Sequence, residues 1–457
     1  MNGTALDGLR EQLRGQLVTP SDPDYDSARA VFNGMIDKRP AGVVRVAQVA
    51  DVIASVNFAR DNSLPLAIRG GGHSAPGFGT WDDALVIDFV NRTGVRVDPE
   101  AGTARAEAGT TWADFNHATH AFGLATTGGI VGSTGIAGLT LGGGIGYLAR
   151  KHGLSCDNLI SADVVTADGK FLTANETRNE DLFWALRGGG GNFGVVTSLE
   201  YKLHPVDMVH VGIVIYGAEN TETVAKFYRD YIDSAPEEFG AFLGFHQGPP
   251  VPFLPEEWHG KPVCVVVGMW TGDMAEGEAR WQPFLEAAPV AGSLITPMPY
   301  PALNVAFDGL NPKGLQGYWK ANFISELNDG VIDAHAEFGS TVTSLNTAVH
   351  VYPIDGAAAR VGAQDTAFAN RGMKFAPVIA AQWPDPADNE ANIAWARNYA
   401  EALRPHSAAS GYINFMDAED QGRISENYGV NYERLQAIKG KYDPGNLFHV
   451  NQNIKPA

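Results

Sequence analysis

Apolar positions along this chain fall into two regimes. Up to residue 205 they come in short runs broken by glycine and aspartate. Runs at 43–47, 65–69, 84–89, 95–98 and 103–107 have strand length and alternation, while apolar residues at helical spacing over 49–62 predict a helix. From 206 onward the runs lengthen: segments 263–270, 348–352 and 375–383 predict strands, and 221–234 predicts an amphipathic helix. Long apolar strands mixed with helices of this kind predict an α+β unit on an antiparallel sheet. Charged and aromatic residues return near the C-terminus, where NYGVNYERLQAIKGKYDPGNLFHVNQNI predicts a helix, a turn at Asp443-Pro444-Gly445 and a closing segment. No internal repeat and no low-complexity tract interrupts this order.

Composition narrows the class. The 457 residues have room for two or three domains with cores of their own, and 44% hydrophobic content is that of a globular protein. A net charge of −19 repels nucleic acid and anionic membrane, so a small-molecule partner is expected, with the chain acting as monomer or homodimer. Two cysteines, Cys156 and Cys264, argue against a disulfide framework. The opening MNGTALDGLREQLRGQLVTP starts as an amphipathic helix without an export-type apolar run, and no later run reaches membrane-spanning length, so the expected location is cytoplasmic.

The 53 glycines are concentrated at 70–79, 128–146 and 188–194. Arg69-Gly70-Gly71-Gly72-His73-Ser74 follows a strand and is followed by Gly77 and Gly79; three consecutive glycines expose the backbone N–H groups that cradle a pyrophosphate. The alternative is a glycine-rich turn with an incidental histidine. Neither a Walker lysine motif nor a GxGxxG with an acidic partner is present. Residues 128–146 are too glycine-rich for a packed helix and too apolar for a linker, which suits a long loop laid along a flat apolar ring. A third cluster, Arg187-Gly188-Gly189-Gly190-Gly191-Asn192-Phe193-Gly194, precedes a strand at 195–200.

Together RGGGHS, GIAGLTLGGGIGYLARKHGLSCDNL, VVTADG, NEDLFWALRGGGGNFGVVTSLEY and YGVNYERLQAIKGKYDPGNLF resemble the berberine-bridge-enzyme-like branch of the vanillyl-alcohol oxidase superfamily. The resemblance is close over 38–204 and again over 428–454. It implies an α+β fold: a PCMH-type FAD-binding domain of two small sheets (1–205), a substrate domain on an antiparallel sheet (206–411), and a segment returning to the flavin site (412–457). It further implies FAD bonded through its 8-methyl carbon to His73. Many relatives add a cysteine link at the position held here by Val131, so attachment is expected to be single. The implied cofactor shell is Arg69, Gly70, Gly71, Gly72, His73, Ser74 and Gly77, then Gly128, Val131, Gly132, Thr134, Gly138, Gly142 and Gly146, with Val195 and Asn451. Thr134 falls where the family gates oxygen access, which implies an oxidase that gives hydrogen peroxide. Cys156 is expected to be a partly buried structural thiol.

Flavin catalysis asks the protein for orientation and for a base to take the substrate proton. Tyr412, in the segment Gly411-Tyr412-Ile413-Asn414-Phe415, matches the family's Tyr-x-Asn-Tyr strand and is the first candidate base, with Asn414 beside it and Phe415 departing from the pattern. On a strand at 317–323, alternation puts Tyr318 and Lys320 on one face and Trp319 on the other, so only one of these sets can face the ligand; Lys320 is a candidate to tune the base or hold a substrate anion, an ordinary strand with a snorkelling lysine being the alternative. His350 and Tyr352 alternate on another strand and rank below Tyr412, a structural histidine being the alternative. Ala376 and Val378 stand where some relatives place polar groups, which points to a ring-containing or lipophilic alcohol or amine. The rival readings are an oligosaccharide oxidase using Trp258, Trp270 and Trp319 as platforms, a flavin-retaining protein with vestigial activity, and a glycine-rich nucleotide-binding module without flavin.

Overall fold

The computed structural model describes residues 3–457. Strands β1 (Gln16–Val18), β2 (Gly42–Arg45), β3 (Leu66–Arg69) and β4 (Leu85–Asp88) form a first sheet in the order β1-β2-β4-β3. β4 runs parallel to both β2 and β3, so the chain between β2 and β3 must cross over, and the helix Val49–Asp61 makes that crossing. Its start is fixed by Asp51, a fully buried carboxylate that accepts the backbone N–H groups of Arg14, Gly15, Ala47 and Gln48.

The second sheet takes β5 (Val95–Asp98), β6 (Thr103–Glu107), β8 (Leu159–Val165), β9 (Phe171–Asn175) and β10 (Val195–Lys202) in the antiparallel order β5-β6-β10-β8-β9, while β7 (Leu124–Ala125) pairs with β11 (His204–Pro205). Both sheets share one core, in which Val44, Leu66 and Ile87 of the first meet Ala106, Val164 and Leu199 of the second. The helix Tyr432–Tyr442 and the segment after it return to this core through Leu435, Ile438, Phe448 and Ile454. Lys439, fully buried, anchors the return: it pairs with Asp443 at 2.6 Å and donates to the carbonyls of Asn192 and Phe448.

The third sheet is antiparallel and has seven strands: β12 (Met208–Gly217), β13 (Phe239–Gln247), β14 (Pro262–Trp270), β15 (Val290–Pro299), β16 (Gln316–Ala321), β17 (Ala348–Pro353) and β18 (Phe375–Trp383), in the order β15-β12-β14-β13-β17-β18-β16. Side-chain alternation divides its residues cleanly. Val214, Leu243, Val266, Val351 and Ile379 pack under the helices Thr221–Ser234, Asp329–Gly339 and Asn389–Leu403. Their neighbours Ile213, Phe242, Val265, Tyr352 and Val378 point the other way, onto Leu148, Phe323 and Tyr412. The α+β reading therefore holds, and among the described residues no helix is long and apolar enough to cross a membrane.

Two local expectations fail. Residues 128–146 are not one continuous loop, because Ile136–Leu141 winds into a short helix that buries Ile136, Ala137, Thr140 and Leu141 between Gly135 and Gly142. Their spacing is helical, and the flanking glycines end the helix rather than prevent it. Residues 412–415 are not a strand: Ile413–Phe415 form a 3-10 turn.

Candidate active site

The three glycine clusters converge on one cavity. At the end of β3 the buried Arg69 guanidinium holds the Asp88 carboxylate, with Nη2 2.7 Å from Oδ2, which pins the strand end from which the first loop departs. That loop and the 128–146 segment meet backbone to backbone: a Cβ on Gly71 would lie 2.4 Å from the amide nitrogen of Gly135, and Gly72 has φ +74°. Glycine alone allows the first, and it adopts the second without strain. Within the described residues the amides of Gly71, Gly72, His73 and Ser74 donate to no protein acceptor. An unfilled row of N–H groups beside a cavity is a cradle for anionic oxygens, and the pyrophosphate of FAD fits it.

His73 stands at the edge of this cradle. Its ring stacks on Phe32 at 4.0 Å, Nε2 lies 3.1 Å from the Ser133 hydroxyl, and Nδ1 lies 3.5 Å from that of Thr134. Burial lowers its pKa to about 4; the hydrogen bond to the Ser133 backbone opposes this and the Lys313 charge adds to it. The imidazole is therefore neutral near pH 7. The loop carrying Ser133 is held in turn by Asp308, which accepts the Gly132 N–H at 2.8 Å.

The opposite wall of the cavity is the unhelical face of the large sheet. Its strands present Trp319, Val378 and Ala380 with the polar groups His246, His350, Tyr352 and Gln382, and the connections beside it add Phe307, Leu310 and Asn346. Among the described residues no carboxylate lines the cavity, and the one charged lining residue, Arg69, is committed to Asp88. Between the walls sits the Tyr412 hydroxyl, which accepts the N–H of Gly144 (3.1 Å), the N–H of Ile145 (3.2 Å) and the Asn414 amide (2.9 Å). Burial outweighs these three donors and pushes the phenol up to about 12. Three donors fill both lone pairs of one phenol oxygen, so Tyr412 fastens the 138–145 backbone and has no free lone pair for a substrate proton.

Of the expected cofactor shell and the catalytic candidates Tyr412, Asn414 and Lys320, the residues Arg69, Gly70, Gly71, Gly72, His73, Ser74, Val131, Thr134, Gly138, Gly142, Tyr412, Asn414 and Asn451 line this one cavity. Six others do not. Gly77, at φ +78°, makes room for Ile36; Gly128 packs against the Trp112 ring; Gly146 packs against the Gly128 carbonyl; and Gly132 serves through its N–H to Asp308. Val195 turns into the first core, and it is the next residue, Val196, that faces the cavity. Lys320 is on the far side of its strand, paired with Glu419 at 2.5 Å and Asp420 at 3.0 Å, while Trp319 takes the cavity face. Burial disfavours the Lys320 charge, but the bond to Glu419 and the field of Asp420 prevail and raise its pKa. Cys156 is fully rather than partly buried, against Arg371 and Asp157, and burial raises its thiol pKa far above neutral.

His246, Asn346 and Gln382 are lining residues that sequence reasoning missed. The available signal was alternation: His246 shares its strand face with Phe242 and Gly244, and β13 pairs with β17 so that Gly244 lies opposite His350. The pairing brings His246 Nε2 to 2.9 Å from His350 Nε2, and His350 Nδ1 lies 2.6 Å from the Tyr352 hydroxyl.

Comparison with known proteins agrees with this geometry. Residues 40–175 match the FAD binding domain family and residues 411–455 the berberine and berberine like family. An FAD-linked oxidoreductase of Dictyostelium discoideum is 30% identical over 98% of this chain and 96% of its own length. (R)-6-hydroxynicotine oxidase of Paenarthrobacter nicotinovorans is 29% identical over 97% of each chain. The crystal structure of 6-hydroxy-D-nicotine oxidase from Arthrobacter nicotinovorans superposes with a TM-score of 0.85 at 25% identity, covering 97% of this chain and 98% of that one. With a cradle for FAD built from its own glycine loops and relatives matched along nearly its whole length, the chain belongs to the berberine-bridge-enzyme-like FAD-linked oxidoreductases.

Proposed function

We propose that the chain holds one FAD covalently through His73 and oxidises a neutral, ring-containing alcohol or amine, with O2 as final electron acceptor and hydrogen peroxide as product. The observation that carries this reading is the continuity of a single cavity, from the free amides of Gly71 to Ser74 at one end to an apolar sheet face at the other. A neutral imidazole is a nucleophile, and His73 is kept neutral by burial. Val131 stands at the position of the second link and neither cysteine lines the cavity, which supports a single attachment. Bound FAD supplies the hydride acceptor and passes the electrons on to O2. Thr134, small and β-branched on the flavin loop, is the proposed position of oxygen access.

The chain's own share is to bind, orient and exclude water. A wall without carboxylates offers no partner to a cationic amine, so the substrate enters uncharged. The nicotine oxidase to which the chain is similar acts, by its name, on a hydroxylated nitrogen heterocycle, and the proposed substrate belongs to that broad class. Intact mass and in-gel flavin fluorescence of the unmodified protein and of His73→Ala test the reading. One FAD mass on the former and none on the latter is expected. Covalent flavin retained by His73→Ala overturns the attachment, and no flavin on either protein after reconstitution overturns the function.

A further inference from the structure

Tyr412 has no free lone pair and no carboxylate lines the cavity, so the proton that must leave the substrate with the hydride has neither of the usual destinations. The sheet wall supplies another. Tyr352, His350 and His246 lie in line on neighbouring strands, all facing the cavity and joined by bonds of 2.6 Å and 2.9 Å. We propose that these three residues form an oriented proton wire, with Tyr352 the catalytic residue that receives the substrate's O–H or N–H proton and His350 and His246 the positioning residues that carry charge away from it. The proposal rests on the oxidase reading above.

The direction of the wire follows from its far end. The proposed wire places the His246 hydrogen on Nδ1, so that its Nε2, which faces His350, is the acceptor nitrogen. His350 must then carry its hydrogen on Nε2, which leaves Nδ1 bare toward the Tyr352 hydroxyl. The Tyr352 O–H therefore points at His350, and its oxygen is free to accept from the cavity. Tyr412 is near enough to Tyr352 to help burial raise its pKa, which sets Tyr352 beside the 138–145 loop.

The space where the two imidazoles meet is provided by Gly244. A Cβ there would lie 3.0 Å from His246 Nε2 and 3.1 Å from His350 Cδ2. Burial holds the pKa of His246 down to about 4, and burial together with His246 holds that of His350 well below its ordinary value, so the wire begins each turnover without an extra proton.

The bookkeeping of the step closes. The substrate C–H bond breaks and leaves as hydride, carrying two electrons to the bound cofactor. The substrate O–H or N–H bond breaks and its proton forms a new bond to the Tyr352 oxygen, while the former phenol proton passes to His350 Nδ1. The His350 Nε2 proton passes to His246 Nε2, leaving a C=O or C=N product and one imidazolium. Reduction of O2 to hydrogen peroxide takes up one hydride equivalent and one proton, which empties the wire.

The test uses flavin-loaded protein labelled with 15N-histidine, with Tyr352→Phe, His350→Gln and His246→Gln assigning the ring signals. Long-range 1H–15N correlation is expected to find His350 protonated on Nε2 and His246 on Nδ1, with Tyr352→Phe shifting His350 Nδ1 first. The opposite tautomer at either ring overturns the wire. In parallel, anaerobic bleaching of the flavin is followed with benzyl alcohol and a panel of hydroxylated pyridine alcohols and amines. Tyr352→Phe is expected to slow bleaching by about 100-fold or more with little change in apparent KM and with loss of the solvent isotope effect. Bleaching within twofold of the unmodified protein overturns the proposal. If flavin is bound yet no probe bleaches it, the oxidase reading fails, and the tautomers still decide the orientation of the wire.

Discussion

The two walls of the cavity are made of different material. The wall from β3 and the 128–146 segment is mostly main chain, with Gly71 and Gly135 in contact through their backbones and the amides of 71–74 open to the ligand. The sheet wall is made of side chains, with Trp319, Val378, Ala380 and the His246–His350–Tyr352 line standing on strands paired in one antiparallel sheet. A main-chain wall can be altered only by destroying its approach distances, so it suits a ligand that never changes. A side-chain wall can be retuned residue by residue without moving the scaffold, so it suits the substrate.

The largest effect that would sharpen this contrast is expected from Gly71→Ala. Its new Cβ meets the Gly135 backbone at 2.4 Å, where nothing flexible can yield, and purified protein should lose essentially all bound flavin by absorbance. Full flavin content in that variant breaks the comparison. On the sheet wall, Ala380→Leu should leave flavin content unchanged while raising the apparent KM for ring-sized substrates by about tenfold, since the added carbons occupy ligand space.

The helix-packed face of the same sheet provides a control for stability alone. His335 is fully buried there with Nδ1 2.6 Å from the Tyr399 hydroxyl, and burial lowers its pKa to about 3. Below pH 6.5 the unfolded chain takes up this proton and the folded one does not. Stability should therefore fall by about 1.4 kcal/mol per pH unit from this group between pH 6.5 and 3, and urea unfolding of His335→Gln should show a correspondingly shallower acid limb. The smallest effect on turnover is expected from Lys320→Met. Its amine is spent on Glu419 and Asp420 away from the cavity, so kcat should stay within about twofold while stability drops by about 1–2 kcal/mol. A large loss of turnover would return Lys320 to the reaction.

The contrast between the walls also explains what could be read in the sequence. RGGGHS was legible because glycine is the only residue that allows backbones to meet so closely, and that requirement leaves its mark on consecutive positions. The side-chain wall left no such mark. His246 and His350 are 104 positions apart, and neither carries meaning until β13 and β17 are paired in register. For the strand carrying Trp319 and Lys320, alternation divided the residues correctly, but which set faces the ligand depends on sheet order and on the helix packed behind. Val195 failed for the same reason at the scale of one residue, since adjacent strand positions face opposite ways. Tyr412 was found by its motif, while the three N–H groups that occupy its oxygen depend on a turn where a strand was expected.

The late return of the chain to the first core also sets an order in time. Val450, Asn451 and Gln452 line the cavity, Asn192 is clasped by the Gln452 carbonyl and the Ile454 amide, and the buried Lys439–Asp443 pair locks the return in place. A ribosome delivers the glycine cradle first and these closing residues last. Any dinucleotide that reaches the nascent protein meets an open trough, and enclosure begins only when synthesis of this segment is done. A product truncated before the closing segment would lack the residues that shut this end of the cavity.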